Sequence, residues 1–196
     1  VRNATLHAKG SDGAIVLGAL ELEKARIATL GASWDGGNHA VMKDGARATE
    51  VTIDPFYGFY IAGEAVTQQN VSKLNELTGV TVAGDGELKY EPSTKTLTMK
   101  NVTVKDLDGK LAFHNQGVND LTINVSGENK FFTQNADALR FDASTTIKGD
   151  GQLTAKTSAT HSGVFILEKV TLTLENLTVD ADGRKGILGA GDKNGK

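Results

Sequence analysis

Leu97-Thr98-Met99, Leu121-Thr122-Ile123, Thr145-Thr146-Ile147 and Leu172-Thr173-Leu174 are four versions of one phrase. Along an extended strand, side chains alternate between two faces, so each triplet turns its outer residues inward and its middle threonine outward. The middle threonines are 24, 24 and 27 residues apart. A second series leads from small residues into an apolar strand: Gly109-Lys110-Leu111-Ala112-Phe113, Ala138-Leu139-Arg140-Phe141, Gly163-Val164-Phe165-Ile166 and Gly186-Ile187-Leu188. Its members Leu111, Leu139, Val164 and Ile187 are 28, 25 and 23 residues apart. The two series interleave and share one period.

A strand-rich repeat of this length belongs to solenoids. Helical repeats are excluded because apolar residues do not recur at i, i+3 and i+4. Leucine-rich repeats are excluded because their Leu/Asn pattern is missing, and propeller blades need about 40 residues. The pattern predicts an all-β chain, a right-handed parallel β-helix with coils of about 21–28 residues. Successive coils lie about 4.8 Å apart along the axis, and inward Leu, Ile, Val and Phe stack on their counterparts. Asn101 and Asn176 fall at equivalent turns, where side-chain ladders can satisfy turn backbone.

A longer echo spans the chain. Residues 1–10 match residues 174–183 at a constant offset of 173, with Asn3, Thr5, Ala8 and Gly10 recurring as Asn176, Thr178, Ala181 and Gly183. Residues 1–55 therefore read as the last coils of one module, 56–80 as a junction and 81–196 as coils of the next. This expectation makes the chain a mature or excised piece of a tandem array, with unpaired strand edges at its ends. In the junction, Tyr60-Ile61-Ala62-Gly63-Glu64-Ala65-Val66-Thr67 reads as a short hairpin. Residues 70–77 read as one or two capped helical turns.

Composition narrows the function classes. The abundance of Gly with only two Pro favours tight turns between short strands over disorder. A formal net charge of −3 supplies no basic footprint for nucleic acid. No apolar run is long enough to predict membrane insertion. The chain has no Cys, so disulfides and thiolate metal sites are excluded.

Residues 87–103, which include Tyr90-Glu91-Pro92-Ser93-Thr94-Lys95-Thr96-Leu97-Thr98, resemble a phrase common in large exported proteins of Bacteroides-type bacteria. Residues 60–70 do so as well. The later coils resemble β-helical carbohydrate-binding-domain proteins with a polysaccharide-lyase-like fold. What the resemblance implies is a secreted or cell-surface protein, with polysaccharide or host glycan and neighbouring modules of its own chain as partners. Fold analogy alone does not determine activity.

Candidate site residues fall into three groups. Lyases and hydrolases of β-helix type need clustered carboxylates, sometimes with a basic residue. The nearest approach is Asp137, Arg140 and Asp142, with Arg140 and Asp142 on one strand face, and a structural ion pair explains that pattern equally well. Acidic Gly-rich turns can supply oxygen ligands for Ca²⁺, and Asp106, Asp108, Asp180 and Asp182 are the candidates. None of these turns matches a known calcium loop, and Asp-Gly is ordinary turn chemistry. Flat aromatic rings bind sugars, and Trp34, Tyr57, Phe59, Tyr60, Phe131 and Phe132 are the candidates. Trp34 lies in a polar Gly-rich stretch, and adjacent Phe131 and Phe132 must point to opposite faces of a strand. His7, His39, His114 and His161 show no metal spacing, and His114 reads as solvated near a turn. Five N-x-S/T triplets, at Asn3, Asn70, Asn101, Asn124 and Asn176, read as repeat chemistry.

The leading expectation is a non-catalytic module that presents a flat face to a glycan. The alternatives are a polysaccharide lyase or hydrolase, and a purely structural stalk or adhesin spacer.

Overall fold

The computed structural model describes residues 1, 4–29, 31–105, 109–158 and 160–191, and it is almost entirely β-structure. The chain forms two compact units, Val1–Tyr57 with Thr67–Gln69, and Gly58–Val66 with Asn70–Lys196.

In the first unit, β1 (Leu6–Lys9), β2 (Ala25–Ile27), β3 (Ala32–Asp35), β4 (Ala40–Lys43) and β5 (Ala46–Arg47) precede the long strand β6 (Glu50–Ile61). Residues 1–55 do not stack as coils. β1 and β2 each pair antiparallel with the start of β6, and β3, β4 and β5 form an antiparallel meander. Turn chemistry explains the difference. Asp44 and Gly45 both have positive φ (52° and 80°), and this two-residue connection sends β5 straight back along β4. The Asp35 carboxylate accepts backbone N–H bonds from Gly37 (2.8 Å) and Asn38 (3.0 Å), which closes the β3–β4 turn. Ile15, Ala25, Val41, Ala48, Val51 and Ile53 make the core of this unit.

The second unit holds the solenoid. The end of β6 and β7 (Glu64–Thr67) form the expected hairpin, with Ala62 (φ 51°) and Gly63 (φ 72°) at its turn. The expected capped helix shrinks to a single 3-10 turn, Leu74–Glu76, without a side-chain cap. The Asn70 amide donates instead to the Ala65 carbonyl (2.9 Å). β8 (Val80–Glu91) runs antiparallel to β9 (Thr96–Lys105).

From β9 onward the strands pair with one another in parallel. The strands are β10 (Phe113–Asn115), β11 (Leu121–Ser126), β12 (Glu128–Phe132), β13 (Leu139–Phe141), β14 (Thr145–Gly149), β15 (Gln152–Lys156), β16 (Ser162–Ile166), β17 (Leu172–Glu175), β18 (Thr178–Asp182) and β19 (Lys185–Gly189). They form a parallel β-solenoid of about three turns with three faces. The first face is β9–β11–β14–β17, the second β9–β12–β15–β18, and the third β6–β10–β13–β16–β19, where only β6 runs antiparallel.

The registers confirm the repeat and correct its first coil. Thr122, Thr146 and Thr173 stack in one outward file, but Thr96 continues it, and Thr98 lies beside Asn124. Likewise Phe113, not Leu111, is in register with Leu139, Val164 and Ile187. Both corrections are slips of two residues, which leave inside and outside unchanged. Leu97, Ile123 and Ile147 stack within the interior, as do Phe131 and Ala155 on the second face. The Phe113 ring lies 6.1 Å from Phe59, 6.2 Å from Phe131 and 5.9 Å from Phe141, joining the faces at the centre.

Corners leave backbone groups without strand partners, and buried amides satisfy them. Asn129 accepts the Val102 N–H (3.1 Å) and donates to the Ser126 carbonyl (2.8 Å). Asn115 accepts the Val118 N–H (2.8 Å) and donates to Thr145 Oγ1 (2.8 Å) in the next coil. The expected ladder of Asn101 on Asn176 is absent. Both have left-handed backbone, but Gly127 lies next to Asn101 and Gly149 next to Asn176, and Gly149 is in register with Val125, not with Gly127. At Gly149, with φ of 139°, a Cβ would collide with the Val125 carbonyl of the preceding coil. Asn3 lies outside the described residues.

Phe113→Ala should cost about 3–5 kcal/mol by opening a cavity where the faces meet, whereas Thr122→Ala on the outer file should cost under about 1 kcal/mol. Denaturant titration of the two variants checks the contrast. In the first unit, Asp54 is only 1% exposed and neither carboxylate oxygen has a hydrogen-bond partner among the described residues. Replacing it by valine should raise stability by about 1–3 kcal/mol, because a buried polar group without a hydrogen bond is a net cost. A lower melting temperature for Asp54→Val would refute that assignment.

Candidate functional site

The third face carries one outward residue per rung in strict register. Tyr60 on β6 lies beside His114 on β10, then Arg140 on β13, then Phe165 on β16. Alternation puts their neighbours Phe59, Ile61, Phe113, Leu139 and Phe141 in the core, so the four outward groups stand on a rigid floor. The Tyr60 and His114 rings are 5.8 Å apart between centres and 17° from parallel. The Arg140 guanidinium carbon lies 5.1 Å from the centre of the Phe165 ring, a cation–π contact. At about 4.8 Å per strand, the row of four planar groups spans roughly 14 Å.

One carboxylate ties the middle of the row together. Asp142 follows Arg140 by two residues and faces the same way. Its Oδ2 lies 2.7 Å from His114 Nε2, and its Oδ1 accepts Arg140 Nε at 2.9 Å. The Asp142 and His114 side chains are each only 15% exposed. Burial pushes the Asp142 carboxyl up, but the hydrogen bonds and positive charge of His114 and Arg140 outweigh it and hold the group below the usual carboxylate range. An ionised carboxylate only accepts, so Nε2 of His114 carries the proton in this bond. Nδ1 stays outside it, as do both terminal nitrogens of Arg140. Beside the row, Tyr60, Gly63, Lys110, Leu111, His114 and Gln116 line a surface depression of about 450 Å³.

The row gathers Tyr60, Arg140 and Asp142 from the sequence candidates and adds His114, which is not solvated at a turn but fixed in mid-strand. Phe165 is a second addition. The missing signal was long-range: His114 and Arg140 are neighbours only when the coil register is known, since 26 residues separate them.

The other candidates lie elsewhere. Asp137 accepts the backbone N–H of Ser162 in the next coil (2.8 Å), a bond between coils. Trp34 is half-buried on β3, opposite Val41, and packs against the first unit's core instead of standing in a loop. The Tyr57 hydroxyl donates to Gln68 Oε1 (2.6 Å). Phe59 is fully buried with its ring 4.7 Å from Tyr90, so it is core and not platform. Phe131 is likewise buried, and Phe132 points outward between Lys105 and Lys156 of the adjoining strands. Asp180 pairs with Lys156 (3.4 Å), and Asp182 is exposed on the same strand face. Asp106 and Asp108 lie outside the described residues. Among the described residues, no three His, Asp or Glu side chains converge as a metal set.

The first face also bears a depression, of about 540 Å³, lined by Thr98, Asn124, Ser126, Lys148, Asp150 and Glu175 among others, and no aromatic ring borders it. Comparison with protein-family models, with curated proteins and with solved structures finds no match to this chain.

Asp142→Asn should destabilise the fold by about 1–3 kcal/mol at neutral pH, since it weakens two hydrogen bonds that carry charge. The folded-state pKa of Asp142 is depressed, so its contribution is present above the unfolded value near 3.9 and is lost as pH falls through the folded one. The stability gap between wild type and Asp142→Asn should therefore shrink below about pH 4. A gap that widens on acidification would contradict the assignment.

Proposed function

We propose that this protein is a non-catalytic extracellular or cell-surface module that binds polysaccharide or host glycan along the third face of its solenoid. The observation that supports this reading is the row Tyr60–His114–Arg140–Phe165, held in register by the strands and braced by Asp142. Sugars offer apolar ring faces and many hydroxyls, and they are met by planar side chains interleaved with hydrogen-bonding ones. A row several rungs long suits an extended chain better than a small molecule, and a flat open face suits a polymer better than a closed pocket does. Preorganisation adds to affinity because little side-chain entropy is lost on binding.

The carboxylates favour binding over glycan cleavage. A general acid needs a carboxyl raised toward neutrality, whereas Asp142 is held low. The other candidate, Asp137, is committed to a backbone N–H. Among the described residues, no helix is long and apolar enough to cross a membrane. The cell-surface setting rests on the resemblance of residues 60–70 and 87–103 to exported proteins.

Glycan arrays and affinity gel electrophoresis test the reading. Retention on at least one polysaccharide is expected, weakened about tenfold by Tyr60→Ala or Phe165→Ala, which corresponds to about 1.4 kcal/mol. Arg140→Lys should also weaken it, because lysine lacks the planar fork. Phe132→Ala on the second face should bind as wild type. Absence of retention on every plant, host and microbial polysaccharide tried would overturn the proposal.

A further inference from the structure

Asp142 and Arg140 carry opposite charges on the third face, and the acid is the more deeply buried of the two, its side chain 15% exposed against 35%. Both oxygens of Asp142 are committed, Oδ2 to His114 and Oδ1 to the Nε–H of Arg140. The donors of Arg140 are not. Its N–H groups on Nη1 and Nη2 have no hydrogen-bond partner among the described residues. Asp142 holds the guanidinium by its Nε edge, and the Phe165 ring centre lies 5.1 Å from its carbon. The terminal edge is therefore a braced fork of donors on a positive charge. The depression beside the row has the same bias. Lys110 lines it, with its stem crossing Gly63, and no Asp or Glu does so among the described residues.

Such an edge selects its ligand. Sugar hydroxyls donate as well as accept, so a site for a neutral glycan gains from exposed acceptors beside its donors. Carboxylate and sulfate groups only accept. On the third face the carboxylate of Asp142 is taken up by internal partners, and the fork of Arg140 is left for the ligand. An anion on the terminal edge lies nearer the guanidinium charge than the carboxylate on the Nε edge, so attraction exceeds repulsion. We propose that the glycan taken by the third face is acidic, and that its carboxylate or sulfate group seats on Nη1 and Nη2 of Arg140. The inference rests on the reading of that face as a glycan platform and adds the chemical class of the ligand. Tyr60, two rungs away at about 4.8 Å per rung, then stacks on a neighbouring sugar and adds affinity without sensing charge.

Affinity gel electrophoresis of the full chain against matched polymers reads this out. Polygalacturonate and hyaluronan are each compared with their own methyl esters, and dextran sulfate with dextran. At low salt at least one acidic polymer should bind roughly tenfold more tightly than its neutral partner, and the ratio should fall as ionic strength rises. The pair that shows the preference tells carboxylate from sulfate. Arg140→Gln should abolish the preference, with far-UV circular dichroism unchanged. Arg140→Lys keeps the charge beside Asp142 but loses the fork, and should cut the preference about threefold. Tyr60→Ala should weaken acidic and neutral binding alike and leave their ratio as in wild type. Equal retention of acidic and neutral partners, or of a neutral glycan alone, would overturn the inference while the glycan platform stands. A preference that survives both Arg140 variants would overturn the seat on Arg140. Failure to bind any glycan, charged or neutral, would remove the platform and this inference together.

Discussion

The solenoid depends on the stacking of inward apolar side chains from one coil on those of the next while the backbones bond strand to strand. Leu97, Ile123 and Ile147 on the first face, and Phe113, Leu139 and Val164 on the third, form files whose members are each buried by the coils above and below. No coil could bury its own interior alone, since each contributes three short strands and a single layer of side chains. Neighbouring coils are therefore bound to share one register across all three faces. The corners carry the cost of that rule. Where a coil turns, backbone groups leave the ladder, and Asn115 and Asn129 complete their bonding at full burial. Gly149 marks the same pressure sterically, where the preceding coil leaves no room for a side chain.

The period and the inside-outside pattern were legible in the sequence because both are local consequences of a strand with one buried face. The absolute register was not. A shift of two residues preserves every inward and outward assignment, so Thr98 is as acceptable as Thr96, and Leu111 as Phe113, to any reading of alternation. The interior volume decides between them: Phe113 fills the centre among three other phenylalanine rings, a long-range fact. The first unit shows a different limit. The echo rightly marks Leu6–Lys9 as a strand like Thr178–Asp182, yet one pairs antiparallel and the other parallel. Local sequence encodes strand propensity, while the connections select the partner. Here the tight turns at Asp35–Asn38 and Asp44-Gly45 carried the information, and they outweigh a resemblance of strands.

The candidate site was half legible for the same reason. Tyr60, Arg140 and Asp142 stood out by residue type, and the Arg-x-Asp spacing placed two of them on one face. Their union through His114 depends on a coil step of 26 residues at that point in the chain. The slipped register, a step of 28, sets His114 beside Asp142 instead of Arg140, and so breaks the row of outward groups. The aromatic candidates divided by burial. On a strand of alternating faces an aromatic residue is as good a core residue as a platform, and Phe59 and Phe131 went inward because their rungs required volume there.

The outer faces are free of that requirement, so their residues can vary without disturbing the stack. A change at an inward position must be answered by the coils above and below, whereas an outward residue answers only to its lateral neighbours. The first face spends this freedom on a file of threonines with charged residues beside it, a surface that suits water. The third face spends it on planar groups and buries a carboxylate to hold two of them still. An ionised group at 15% exposure is costly unless its partners are fixed. The strands fix His114 and Arg140 in adjacent rungs, so the same register that builds the core also makes that carboxylate tolerable. The rigid spacing of the row is thus a property of the fold, and the identity of its four outward residues is where selection for a ligand can act without disturbing the stack beneath.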